Sequence, residues 1–274
     1  TPLYSSAASD VYKRQMAAGA ALLDAGRNDE AAGLFLRGLR RHPDRLELAE
    51  GLVDALSRGC EYGRAASLLS SIAARAPLLR IFLDACELRH ERRFEPSALE
   101  FRAAAIAAAG AGDGISAFVC WRAAARALAG ARDAVGAMMV LGRADSLLAL
   151  LATREPGVAA LAPALAADLR TTAGEAWDLV DRLDEADSLF GLALETAEET
   201  GLARVRAAAL AGRARVREKR QRSVEAAALY RDALRIERGL GDRRLVAVLL
   251  NNIGQTAIRL GDHGSGRARL EESL

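Results

Sequence analysis

Aromatic residues are scarce, at 4% of the chain, and histidine and cysteine occur only three times each. His42, His90 and His263 stand apart. None has a second histidine at helical metal-ligand spacing, so no metal centre is expected. Cys60, Cys86 and Cys120 are odd in number, far apart and without a Cys-x-x-Cys spacing. That excludes a disulfide framework and a zinc site and fits the reducing cytoplasm. Lone helical cysteines are expected to be small core residues. No Gly-x-x-x-x-Gly-Lys-Ser/Thr phosphate loop is present, and Gly264-Ser265-Gly266 lacks the strand-turn-helix frame of a nucleophile elbow. No catalytic residue, no cofactor and no enzymatic activity are expected. The net charge of +2 is too small to call for a polyanionic partner. No uninterrupted apolar run approaches the roughly 18 residues of a membrane span, and no secretory leader is recognisable.

What the chain has in quantity is alanine and leucine, with 51% of all residues apolar. These residues lose little on entering a helix, and β-branched strand formers are few, so the expected class is all-α. From Asp168 to Leu274 one pattern recurs every forty residues. Gly174, Ala214 and Gly254 form a small trio, as do Ala186, Ala226 and Gly266, while Phe190, Tyr230 and Leu270 form a large one. Each unit reads as two helices, with apolar residues at three- and four-residue spacing on either side of a turn at Asp181-Arg182, Gln221-Arg222 or Gly261-Asp262. Small residues sit where two helices approach closely, and large ones fill the gap. A fixed period of this size means a repeat array.

At this point the chain resembles the tetratricopeptide repeat family, in a forty-residue form, with Asn252-Ile253-Gly254 matching the family's apolar-then-glycine pair. The family's thirty-four-residue form recurs from Met16: Gly19, Leu22, Ala31, Phe35 and Pro43, then Val53, Leu56, Ala65, Leu69 and Pro77. A third unit carries Ala85, Leu88, Ser97, Phe101 and Ala104. The resemblance implies an α-solenoid, a right-handed superhelix of about seven antiparallel helix pairs. Residues 16–110 hold three thirty-four-type pairs, 111–155 a degenerate pair, and 156–274 three forty-type units, the last one cut short. In the degenerate pair Trp121, Leu128, Val135, Met139 and Leu147 are expected to line a core, and a bend or boundary is expected near residues 110 to 156. Residues 1–15, with Ser-Ser-Ala-Ala-Ser-Asp-Val-Tyr-Lys-Arg-Gln, look like a translated sequencing-adapter fragment and are set aside as a non-native leader. Leu270 and Leu274 are expected to face a missing neighbour, so the chain reads as a fragment.

If the units stack as the resemblance implies, the first helices line a concave channel. Stripe spacing then nominates Asp168, Thr171, Glu175 and Asp178; Arg215, Glu218 and Lys219; and Asn251, Gln255 and Arg259 as partner-binding groove residues, with Glu47, Glu50 and Asp54 in the second unit. Charge sorts by unit: ten Asp or Glu against two Arg over 165–200, then thirteen Lys or Arg against five Asp or Glu over 201–246. Either this contrast orients a bound peptide, or adjacent units attract one another. The expected role is a non-enzymatic scaffold that binds a protein or peptide segment in the groove. Charge reversal at Arg215 and Lys219 is expected to weaken such binding without unfolding the array. Nucleic acid is not expected, because no aromatic residue lies among the arginines of 213–222 to stack bases. The alternative is a sensory or autoregulatory segment of a larger bacterial signalling protein, with its own effector domain as the partner.

Overall fold

The computed structural model describes residues 7–74 and 76–273, with side chains from Gln15 onward. Among the described residues there are fourteen helices and no strand. They form seven antiparallel pairs: α1 (Ala7–Asp24) with α2 (Asn28–Arg41), α3 (Leu46–Arg58) with α4 (Tyr62–Ala73), α5 (Pro77–His90) with α6 (Phe94–Gly110), and α7 (Gly114–Gly130) with α8 (Ala134–Arg154). Then follow α9 (Pro156–Leu179) with α10 (Leu183–Thr200), α11 (Ala203–Lys219) with α12 (Ser223–Leu240), and α13 (Arg243–Arg259) with α14 (His263–Glu272). Consecutive helices pack on one another throughout, which makes the chain an α-solenoid. Residues 1–6, part of the leader expected over 1–15, lie outside the described residues, and from Ala7 the backbone is helical into α1.

The helix ends follow from local chemistry. Pro77 and Pro156 open α5 and α9, where a missing N–H costs nothing. Asp113, Asp133, Asp242 and Asp262 cap α7, α8, α13 and α14, each accepting from a backbone N–H of the first turn. The turn inside every pair reverses the chain through one residue with φ between +61° and +85°: Gly26, Cys60, Arg92, Arg132, Asp181, Gln221 and Gly261. Only the first and last of these are glycine, so five turns hold a side chain in the left-handed region.

The small-against-large logic of the repeats holds. A methyl group on Gly19 would overlap the Phe35 ring, one on Gly174 would lie 2.7 Å from the Phe190 ring, and one on Gly254 would lie 2.9 Å from both Leu270 and the Gly266 carbonyl oxygen. Phe35, Phe101, Phe190 and Tyr230 are fully buried in the gaps thus left, each contributing about 1.5–3 kcal/mol. Phe82 meets Phe101 edge-on at 5.6 Å. One apolar core runs from Leu23 to Ala176 without a break at 110–156, and a second joins Leu210 to Ile253.

The α8 register differs from expectation. Trp121 and Leu128 are buried, but Val135 and Met139 are each 66% exposed, and the buried stripe is Ala134, Ala137, Val140, Leu141, Ala144, Leu148 and Leu151. Ala134, Ala137 and Ala144 in that stripe let α8 lie close to α7, and Val135 and Met139 fall on its outer face. With a mean hydropathy of 1.6 over its apolar window, α8 is also long and apolar enough to cross a membrane by length and composition, although in the fold it packs between α7 and α9. The apolar run Leu147 to Ala152, too short and interrupted to suggest a span from sequence, lies inside this helix.

Candidate functional site: the charged inner face

The first helices carry the charged stripes that sequence spacing placed on one face, but those charges are bonded to one another. On α9, Asp168 accepts from Arg122 at 3.0 Å and from Arg126 at 2.7 Å, both on α7. Arg122 also reaches Glu50 on α3. Burial acts to raise the Asp168 pKa, but Arg126 and Arg122, with Arg204 beyond them, override it and hold it at about 2. Asp178 is 2% exposed and takes Arg215 Nε at 2.8 Å and Lys219 Nζ at 3.0 Å, both from α11. Glu218 accepts from Tyr230 Oη at 2.9 Å and also from Thr256 and Arg259. On α3, Asp54 takes Arg58 at 3.2 Å and Arg204 of α11 at 2.6 Å.

Five nominated residues fall outside this lattice: Thr171, Glu175, Asn251, Gln255 and Glu47. Thr171 is buried and donates back to the Ala167 carbonyl at 2.9 Å, so it faces the helix packing and not the channel. Gln255 is exposed and bonds only Asn251 among the described residues, at 3.4 Å. Glu47 is buried and accepts from Ser116 Oγ at 3.4 Å, and burial raises its pKa to about 7.

The structure brings Glu175, Asp178 and Arg215 together around a cavity of about 270 Å³ whose wall also includes Arg126, Ala129, Gly130 and Leu179. It lies across three successive first helices: α7, α9 and α11. Glu175 has no hydrogen bond or ion pair among the described residues, and burial raises its pKa against the pull of Arg215 and Arg126. Sequence reasoning missed Arg122 and Arg126, although their i, i+4 spacing on the first helix of the degenerate pair was a legible stripe. It also missed Arg204, whose partner lies 150 positions away.

The contrast between acidic and basic units is used for stacking. Arg213 and Arg217 both reach Asp187, at 3.0 and 2.9 Å, and Arg220 reaches Asp184. Reversing Arg215 and Lys219 would therefore set carboxylates against Asp178, so that variant disturbs the array itself. The expectation of a fold-neutral reversal is corrected on this ground. Of the cysteines, Cys86 and Cys120 are buried as expected, whereas Cys60 is exposed at the α3–α4 turn. Burial pushes the Cys86 thiol up to about 12 and the Cys120 thiol upward as well. Among the described residues no group of three or more His, Cys, Asp or Glu side chains is arranged to hold a metal ion.

No family model and no curated protein matches the chain. Among solved structures it is similar to BtubC (BKLC) from P. vanneervenii, at 15% identity over 98% of this chain and 90% of that one, with a TM-score of 0.49. It is also similar to the apo form of RapI, at 9% identity over 95% of this chain and 74% of that one, with a TM-score of 0.53. At such identities the likeness to RapI bears on architecture alone, and the architecture it shows is a helical-repeat solenoid.

Proposed function

We propose that the chain is a non-enzymatic interaction scaffold of the tetratricopeptide kind, bacterial and cytoplasmic, which holds a segment of a partner protein against the inner faces of α7, α9 and α11. The observation that carries this reading is the cavity at Glu175. Two guanidinium groups and two carboxylates border it, and Glu175 is the one of the four without a bond among the described residues. A crossing segment meets donors on α7 and α11 and an acceptor on α9, a pattern that complements the alternating C=O and N–H groups of a backbone or a side-chain amide. Because Arg213, Arg217 and Arg220 are engaged by Asp187 and Asp184, the basic unit has little free charge for phosphates, which supports a protein partner over nucleic acid. The Ala/Arg-rich forty-residue units support a bacterial source, and three free thiols support a reducing compartment.

Affinity capture with the full chain, beside Glu175→Phe, tests the reading. Glu175 lies outside the ion-pair lattice, so the substitution fills the cavity without breaking a pair. The expected result is a partner retained by the wild type and lost by the variant at unchanged helical circular dichroism. Equal retention by both proteins removes the groove from the account.

A further inference from the structure

Solenoids hold together through neighbouring repeats, each unit touching the next. This chain departs from that rule at its two ends. The α1–α2 turn meets the α12–α13 turn: Asn28 Nδ2 donates to the Gly241 carbonyl at 3.2 Å, and a methyl on Gly26 would stand 2.8 Å from the Gly239 carbonyl oxygen. Beside this backbone contact, Arg204 at the start of α11 donates to Asp54 of α3 at 2.6 Å. Arg58, 1% exposed, donates to Asp54 at 3.2 Å and to the Leu23 carbonyl at 2.9 Å, binding the ends of α1 and α3 into one surface. The first two pairs thereby clasp the last two, and the array closes into a ring.

Three features mark this joint as separable. The bonds across it are polar, from Asn28 to the Gly241 carbonyl and from Arg204 to Asp54. It is incompletely satisfied among the described residues: Arg58 Nε and Asn28 Oδ1 are buried without a hydrogen-bond partner, and Glu237 is 2% exposed with no ion pair. Finally, no pair depends on the joint for its own core, since each already packs on its neighbours in sequence. Interfaces of this polar kind allow relative motion.

We infer that the joint is a latch: the array exists closed, as here, and open, and the Asp54–Arg204 pair with the Gly26–Gly241 contact holds it shut. Opening uncovers the Asp54 carboxylate and the Arg204 guanidinium inside the channel. The latch stands whether or not the groove takes a partner segment. Only its use as a gate rests on the scaffold reading.

Small-angle X-ray scattering on the full chain tests the latch without any ligand. Two variants are informative. Arg204→Glu turns the ion pair into a repulsion. Gly26→Gln drives a side chain into the joint, and Gln221 in the matching turn of the sixth pair shows that this turn accepts glutamine at positive φ. The wild type is expected near the roughly 19 Å radius of gyration of a compact chain of 274 residues. Both variants are expected to raise that radius by about a tenth at unchanged helical circular dichroism, in proportion to an opened superhelix. Folded variants that scatter like the wild type overturn the inference. If either variant loses helix, the wild type decides, taken from low salt to roughly 1 M salt, where the exposed part of the pair is screened. Expansion supports the latch, and a constant radius overturns it.

Discussion

Arg215 of α11 donates through Nε to the buried Asp178 carboxylate of α9 at 2.8 Å, and Lys219, one turn further on, reaches the other oxygen of the same carboxylate. A single acidic side chain thus fastens the basic unit to the acidic one. Asp178→Ala leaves two partly solvated cations facing a void and is expected to destabilise by about 1–3 kcal/mol, read from the urea midpoint. Arg27→Ala, which removes an exposed pair with Glu30, is expected to stay within about 0.5 kcal/mol.

The glycines divide by what stands over them. Gly142 and Gly191 lie inside α8 and α10 with nothing near enough to meet a methyl group, so alanine at either is expected to add about 0.5–1 kcal/mol. Gly212 lies under the Phe190 ring, and Gly212→Ala is expected to destabilise. Gly254→Leu is expected to cost about 1–3 kcal/mol through overpacking against Gly266 and Leu270. Thermal midpoints of the four variants check the ordering.

Gln221 is exposed and holds a φ of +61° in its turn. Glycine relieves the left-handed strain of about 1–2 kcal/mol but returns part of it as chain entropy, so Gln221→Gly is expected to gain about 0.5 kcal/mol. A lower urea midpoint would contradict the turn assignment.

Burial raises the Glu237 pKa to about 7, with Asp242 adding to the rise and Arg204, Arg58 and Arg244 opposing it. A carboxyl whose folded pKa lies above its unfolded value binds its proton more tightly in the folded chain. Its favourable contribution is therefore fully present below about pH 4.5 and is lost as pH rises to about 7. Glu237→Gln is expected to leave stability at pH 4.5 nearly unchanged and to raise it at pH 8 by up to about 3 kcal/mol. Urea titrations at the two pH values decide. Asp168, held at about 2, titrates well below this window.

Thiol labelling follows burial. Cys60 is expected to react rapidly with a maleimide in the native chain, whereas Cys86 and Cys120, buried and with raised pKa values, react only on unfolding. Three equally fast thiols in the native chain would contradict the core packing.

The helix pairs, their turns and the small-against-large contacts such as Gly174 with Phe190 were legible in the sequence. Both partners lie within one unit, and helix geometry alone brings residues at that separation face to face. The charged stripes were legible for the same reason, since three- and four-residue spacing fixes which side chains share a face. Their partners were not. Arg122 meets Glu50, and Arg204 meets Asp54, only because small rotations between successive pairs add up along the array until distant first helices touch. The outer-face position of Val135 and Met139, too, depends on which stripe of α8 meets its neighbour. Local pattern determined the repeat, its period and its inner face. The accumulated curvature, a sum over inter-pair angles that no single unit encodes, decided which charges meet, which stay unpaired among the described residues at Glu175 and Glu237, and that the two ends of the array touch.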